Sequence, residues 1–190
     1  MTHERLFLLL ENIHPMAGTL KNAVSPELQR YRYPKNHFLV QMHSIAQHIY
    51  FLEKGFAVSY YFQDSKKIVT SFWKPGEIIL SPKSFCEHTL SDEAIQLTME
   101  SELLAISSRS VNKLFEDFPV ANVLARAIVS RCHAQSEERR IDLHYLSAWE
   151  RYMKLLKTYP GIGLHAAQEM IASYLNITPQ SLSRLRHEKG

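Results

Sequence analysis

The sequence contains only two cysteines, Cys86 and Cys132, far apart and outside any Cys-x-x-Cys pair. This excludes a disulfide framework or a four-cysteine metal or iron–sulfur site within one chain. No apolar run approaches the roughly 18 residues that cross a bilayer. The first residues have too short an apolar core, and no small-residue cleavage site, for a signal peptide. We therefore expect a cytoplasmic protein without membrane contact, carrying two free, buried thiols.

The length and the charge distribution indicate a globular chain with a basic end. With 190 residues, 45% of them hydrophobic, the chain can bury a core and fits one large domain or two small ones. The net charge of +3 is concentrated at the C-terminal end, where residues 147–190 hold six basic and three acidic side chains. Over residues 1–146, basic and acidic side chains are equal in number. This imbalance favours a C-terminal module that faces a polyanion.

The region from about Tyr31 to Ile106 is typical of β-structure. Short runs rich in aromatic and β-branched residues, such as HFLVQ, AVSYYF and IVTSFW, alternate with turn signals such as Glu53-Lys54-Gly55 and Lys74-Pro75-Gly76. About seven or eight short strands of this kind predict a small antiparallel roll or barrel.

After Ser107 the pattern becomes helical. A short capped helix is predicted before Pro119, and a long one from Pro119 to about Leu146, about 40 Å at about 1.5 Å per residue. Spacings of four and three predict a coiled-coil-like dimerisation seam. Its positions are Val120, Leu124, Ala127, Arg131, Ala134, Glu138 and Ile141. The alternative, a helix that only packs on the roll, stays open.

A new helix is predicted to begin at Ser147. Ser147 and Glu150 have the spacing of a capping box, which starts a helix instead of continuing the previous one. We therefore divide the chain into an effector-type roll with flanking helices (1–118), a dimerisation helix and hinge (119–146), and a C-terminal domain (147–190).

The segment from Gln168 to His187 predicts two helices that cross steeply. Ala172 is small where the backbones would approach, and Asn176 tolerates left-handed geometry at the turn. Thr178 is suited to be the N-cap of the second helix, with Pro179 at its first position. Apolar residues from both helices would meet in the angle, namely Ile171, Leu175, Ile177, Leu182 and Leu185.

The second of these helices has a polar face suited to DNA. At about 100° per residue, Leu182 and Leu185 turn inward and the opposite face is polar. Arginine pairs with guanine and glutamine with adenine, and flanking groups contact phosphate. The predicted DNA-binding residues are Thr178, Gln180, Ser181, Ser183, Arg184, Arg186 and His187, with Ser181 and Arg186 on the flanks. An ordinary αα-hairpin with a polar outer face remains the alternative.

Helix, β-roll, long helix and helix-turn-helix, in this order, resemble the bacterial Crp/Fnr transcription regulators over nearly the full length. The segments that carry the resemblance are YFLEKGFAVSYYF, FWKPGEII, ELLAIS leading into LFEDFP, and IASYLNITPQSLSRLR. The resemblance implies an α+β chain whose roll is a double-stranded β-helix of the cyclic-nucleotide-binding type. It also implies a homodimer joined along the long helix, with two recognition helices in successive major grooves about 34–36 Å apart. The expected partners are double-stranded DNA, RNA polymerase and an unknown small effector, and no enzymatic activity is expected.

The expected effector pocket departs from the pattern of cyclic-nucleotide-binding relatives. Those relatives offer Gly-Glu-Leu to the ribose, then an arginine and a small hydroxyl residue to the phosphate. Here Ser81-Pro82 stands at the Glu-Leu, and Asp92-Glu93 stands near the arginine. An acidic pair would repel a cyclic phosphate by about a few kcal/mol in a partly buried site. We expect no tight cyclic AMP binding and no other cofactor. The candidate pocket residues are Gly76, Glu77, Ser81, Lys83, Ser84 and Phe85.

Two further departures concern the ends of the chain. The N-terminal cysteine cluster of oxygen-sensing members is absent, which excludes that type of sensor. Many members continue into a β-hairpin wing, whereas this sequence ends at Gly190. Phosphate contacts should then depend more on the recognition helix and on Arg151, Lys154 and Lys157.

Two other functions remain as alternatives. His43, His48, Glu53 and His88 are residue types that a cupin-like metal enzyme would use. A cupin motif needs His-x-His, because alternate residues share a face, whereas His43 and His48 are five apart and would face opposite sides of a strand. We therefore predict no metal site. The second alternative is a sensory dimer that acts through protein contacts.

Overall fold

The structure, a computed structural model, describes residues 3–189 and the side chains as far as residue 187. Two helices, α1 (Glu4–Ile13) and α2 (Gly18–Val24), and a 3-10 turn (Ser25–Glu27) precede the strands. The strands are β1 (Gln29–Tyr33), β2 (Phe38–Val40), β3 (His48–Lys54), β4 (Ala57–Gln63), β5 (Lys66–Trp73), β6 (Ile78–Ile79), β7 (Ala94–Leu97) and β8 (Ser101–Ser107). The remaining helices are α3 (Pro82–Glu87), α4 (Ser108–Asp117), α5 (Pro119–Tyr145), α6 (Ala148–Thr158), α7 (Ile162–His165), α8 (Gln168–Tyr174) and α9 (Pro179–Lys189).

The strands form two antiparallel sheets, which confirms the predicted roll. One sheet has the order β1-β8-β3-β6 and the other β2-β7-β4-β5. Their inner faces share a core that includes Leu52, Ala57, Ile95, Leu97 and Leu103. The predicted turn at Gly55 joins β3 to β4 with φ +112°, and a Cβ there would lie 2.0 Å from Ser101 Oγ. Only glycine fits that position.

The sheet that contains β4 is covered on both faces. Successive residues of a strand point to opposite sides, yet Ala57 to Tyr60 are all buried. Ala57 belongs to the core between the sheets, whereas Val58 and Tyr60 belong to a second core shared with the C-terminal helices. That second core includes Tyr152, Leu155, Ile162, Ile171, Ala172, Leu175 and Leu182. The roll and the C-terminal helices are therefore packed together.

Polar contacts attach the C-terminal helices to β5, the edge strand of this sheet. Ser173 Oγ on α8 donates to the Lys67 carbonyl (2.8 Å) and accepts from the Val69 N–H (2.9 Å). Arg139 on α5 donates to the carbonyls of Val69 and Tyr174, both at 3.0 Å. These bonds satisfy backbone groups that an edge strand otherwise leaves open.

The predicted break near residue 146 is present as a helix boundary. Helix α5 ends at Tyr145, and α6 starts with both bonds of the predicted capping box. The Ser147 N–H donates to the Glu150 carboxylate (2.8 Å), and the Glu150 N–H donates to Ser147 Oγ (3.3 Å). The division into domains stays a prediction, because the C-terminal helices share their core with the roll.

Helix α5 has the predicted length, but its free face is rotated from the predicted seam. Leu124 is only 8% exposed and packs with Val120 against α1 and α2 of the same chain, so its assignment to a free seam was wrong. The exposed apolar side chains are Val123 (37%), Ile141 (47%) and Tyr145 (83%). At about 100° per residue these three lie within about 40° of one another. Ala127 and Ala134 fall in the same arc, and we call the five residues the α5 stripe.

Two expectations from the sequence concerned the burial of the cysteines and contact with a membrane. Cys86, at the end of α3, is exposed and Cys132 is half-buried, so the expectation of two buried thiols was wrong; both are free. The cause is that α3 is a short helix on the surface of the roll, which buries only Ser84 and Phe85. Over residues 3–189, no helix is long and apolar enough to span a membrane.

Candidate DNA-binding interface and effector cleft

Helices α8 and α9 make the tight crossing that their sequence predicts. Asn176 has φ +54°, the left-handed value expected of the turn residue. Ala172 is fully buried, and its carbonyl accepts a bond from the Ile177 N–H (3.0 Å), which closes the turn onto α8. The small side chain allows this close backbone approach.

The start of α9 is set by Thr178. Its Oγ1 accepts a bond from the Ser181 N–H (3.1 Å), and the two hydroxyls lie 2.9 Å apart. Pro179 is the first helical residue, and Leu182 is fully buried behind it while Leu185 is half-buried. The cap thus fixes where the helix starts. It also places the hydroxyl groups of Thr178 and Ser181 within hydrogen-bonding distance of each other.

The outward face of α9 is polar and available. Gln180, Arg184 and His187 are exposed, and Ser183 beside them is half-buried. Among the residues that the structure describes, these four side chains make no hydrogen bond or ion pair. Arg186 differs, because its Nε donates to the Tyr152 hydroxyl (3.0 Å) on α6. Its other guanidinium N–H groups can still donate to a phosphate while that bond is kept.

The basic residues of α6 are also used within the chain. Arg151 Nε donates to the Leu175 carbonyl (3.1 Å), and its Nη1 donates to the Leu146 carbonyl, so it joins the hinge to the helix-turn-helix. Lys154 pairs with Glu138 and Asp142 of α5, both at 2.6 Å. Lys157 is exposed. Of the three predicted phosphate anchors, the structure leaves Lys157 uncommitted among the described residues.

A cleft of about 770 Å³ lies between the roll and α5 and extends to α6. Of the predicted pocket residues, Gly76, Glu77 and Lys83 line it. Ser81, Ser84 and Phe85 do not line it and are buried within the roll. Ser84 is used structurally: it accepts from the Ala46 N–H (2.9 Å) and donates to the Thr89 carbonyl (2.7 Å).

The inner wall of the cleft holds a carboxylate beside hydroxyl groups. In β5, Thr70 is a bulge residue, since Ser59 pairs with Ser71 and Tyr60 with Val69. Bulges redirect side chains, and the Thr70 hydroxyl donates to Glu93 (3.1 Å) and lies 2.5 Å from Ser59 Oγ. Burial raises the pKa of Glu93, and the hydroxyls of Thr70, Ser59 and Ser81 partly oppose this rise.

The two members of the Asp92-Glu93 pair have different surroundings. Glu93 lines the cleft, whereas Asp92 is exposed and faces Lys83 at 3.7 Å. A second carboxylate of the cleft, Glu77, accepts from the Lys74 N–H (3.0 Å), and burial raises its pKa as well. Glu77 was predicted from the sequence as a pocket residue. Thr70 was not, because only the structure shows the bulge at Thr70 and the bond from its hydroxyl to Glu93.

The histidines of the metal-enzyme alternative are not gathered into a site. Over the described part of the chain, no three His, Cys, Asp or Glu side chains are arranged to hold a metal ion. Glu53 makes two bonds to Arg30 instead. His48 is half-buried, and burial lowers its pKa.

Comparison with known proteins finds a family for the roll and a fold for the chain. Residues 30–118 match the family model described as a cyclic nucleotide-binding domain. No curated protein matches. FixK2 from Bradyrhizobium japonicum has a TM-score of 0.72 at 17% identity, covering 85% of this chain and 83% of its own. The c-di-GMP-responsive global regulator CLP from Xanthomonas campestris has a TM-score of 0.69 at 16% identity, covering 90% of this chain and 91% of its own. A protein from Eubacterium rectale, described as a transcriptional regulator of the Crp/Fnr family, has a TM-score of 0.70 at 16% identity, covering 93% of this chain and 86% of its own. Identities this low show a shared fold.

Proposed function

We propose that the chain, whose residues 30–118 match the family model of a cyclic nucleotide-binding domain, is a sequence-specific DNA-binding regulator of transcription. Its fold is that of the Crp/Fnr regulators, and we infer no enzymatic activity. The observation that carries the proposal is the free polar face of α9, held on a tight, capped turn. Arg184 and Gln180 are suited to read guanine and adenine edges in the major groove.

We infer a homodimer joined along the α5 stripe. A stripe of exposed apolar side chains on a helix about 40 Å long is suited to pack against its own copy. A two-fold axis along it would present two copies of α9 to half-sites about 34–36 Å apart. RNA polymerase is the expected protein partner, and the cytoplasm is the expected location.

We infer that the cleft no longer serves a cyclic nucleotide. Glu93 supplies negative charge on the inner wall, which disfavours a phosphate. The regulator would then respond to another effector, or to none.

The test is selection of bound DNA from a random pool with the full-length protein. A palindromic consensus with half-sites about one helical turn apart is expected. Arg184→Ala should relax the preference at one position of each half-site, whereas Arg126→Ala, on α5 away from α9, should leave the consensus unchanged. Recovery of no consensus would refute DNA reading and favour the sensory dimer that acts through protein contacts.

A further inference from the structure

The cleft has the dimensions of a small-molecule site. Its volume of about 770 Å³ falls within the roughly 300–1,000 Å³ typical of such sites. The roll contributes one wall, through β5 and the segment around β6, and helix α5 contributes the other. A bound molecule would therefore contact both the roll and the helix that carries the proposed dimer stripe.

Much of the wall is apolar. The apolar lining residues include Phe72, Trp73, Ile78 and Leu80 from the roll, Ile128 and Val129 from α5, and Leu9 and Ile13 from α1. Burying an apolar body against these side chains is favourable.

Glu93 is the charged group of this wall that lacks a counter-ion. The hydroxyl groups of Thr70, Ser59 and Ser81 hydrogen-bond to it, but it forms no ion pair with the side chains of residues 3–187, and the only charge among them that acts on its pKa is the like charge of Asp92. Glu93 is half-buried, and taking a carboxylate out of water without a cation beside it is costly. A cationic ligand would remove that cost, which favours binding of one.

Three of the basic side chains around the cleft are engaged elsewhere. Arg139 donates to two backbone carbonyls, Lys154 pairs with Glu138 and Asp142, and Lys83 faces Asp92. Arg131, which makes no hydrogen bond or ion pair among the described residues, acts by its charge on Glu77, where it opposes the rise in pKa that burial causes. None of these contacts supplies a charge to Glu93.

We propose that the cleft binds a small amphipathic amine, with its protonated amino group paired to the Glu93 carboxylate and its apolar body against the wall defined above. An organic cation is favoured over a metal ion because, within the described residues, no cluster of metal-ligating side chains is present. The proposal rests on the proposed function, since it names the chemical class of the regulator's effector.

The test compares probes with one body and three head charges, titrated into the full-length protein without DNA. They are 2-phenylethylamine, 2-phenylethanol and phenylacetate. Trp73 lines the cleft, so its fluorescence in a Trp149→Phe background reports occupancy, with the melting temperature as a second readout. The amine is expected to bind about tenfold tighter than the alcohol, because a charge-assisted bond replaces a neutral one. Phenylacetate is expected not to bind.

A charge-neutral variant locates the contact. Glu93→Gln keeps the shape of the side chain, and we expect it to weaken the amine about tenfold while leaving the alcohol unchanged. Glu116→Gln, an exposed carboxylate of α4 outside the cleft, is the matched control. In the wild-type protein, amine binding should strengthen as the pH rises through the pKa of Glu93.

Three results would overturn the proposal: no amine binding, an alcohol that binds as tightly as the amine, or a Glu93→Gln protein that keeps full amine affinity. The first two can be read from the melting temperature of the wild-type protein, so a poorly folded variant cannot obscure them. Because no DNA is present, failure of this titration is distinct from failure of the DNA selection.

Discussion

Replacing Ser173 with alanine tests the contact between the helix-turn-helix and the roll. Ser173 Oγ makes two bonds to the edge strand, donating to the Lys67 carbonyl and accepting from the Val69 N–H. A neutral hydrogen bond contributes a net of about 0.5–1.5 kcal/mol, so the pair contributes about 1–3 kcal/mol. Alanine is the better helix former by about 0.5 kcal/mol, which offsets part of the loss. The free energy of unfolding should fall by about 0.5–2.5 kcal/mol.

The measurement is urea unfolding followed by circular dichroism at one fixed protein concentration, since a dimer's stability depends on concentration. Ser183→Ala is the matched control, because Ser183 is a half-buried helical serine of α9 without a hydrogen bond among the described residues. It should change stability by less than about 0.5 kcal/mol. If Ser173→Ala destabilised the protein no more than Ser183→Ala, the two edge bonds would not hold the helices to the roll.

Four further predictions follow from the same contacts. Arg184→Ala should lose about 1–3 kcal/mol of affinity at its preferred base pair, measured by fluorescence anisotropy on operators altered at single positions; an equal loss on all of them would contradict base reading. Lys157→Ala should weaken all sequences alike and reduce the salt slope of binding by about 1. Ala134→Glu, in the α5 stripe, should shift the dimer to monomer in sedimentation, whereas Arg126→Glu outside the stripe should not. Burial holds the pKa of Glu93 above its ordinary 4.5, so the folded state binds more protons than the unfolded state and stability falls as pH rises through this window. Glu93→Gln should flatten that decline in urea unfolding at a series of pH values.

Local features of the chain were predictable because adjacent residues determine them. The Ser147–Glu150 capping box, the left-handed Asn176 and the Thr178 cap all appear where their spacing predicts. Each depends on the backbone geometry of one turn, which a few neighbouring side chains decide. The antiparallel roll was predictable for a related reason, since short strands between tight turns pair with close neighbours.

The orientation of α5 was not predictable to the same degree. Leu124 and Val123 are neighbouring apolar residues, and the sequence pattern supports either as part of the free face. Helices α1 and α2 decide between them, because they cover Leu124 and leave Val123 exposed. A rotation of the assigned face by a fraction of a turn changes which residues another chain would meet.

The sequence by itself determined that this chain forms an antiparallel roll, a long helix and a helix-turn-helix whose second helix has a polar outer face. Only the tertiary structure decided how the charged groups are engaged: Arg186 is hydrogen-bonded to a tyrosine, Lys154 is ion-paired, and Glu93 lines a cleft without a counter-ion among the described residues. The physical reason is how far apart in the sequence the interacting residues lie. Caps, turns and strand alternation depend on residues a few positions apart, whereas ion pairs and clefts depend on how elements distant in sequence pack, and composition and spacing do not encode that directly.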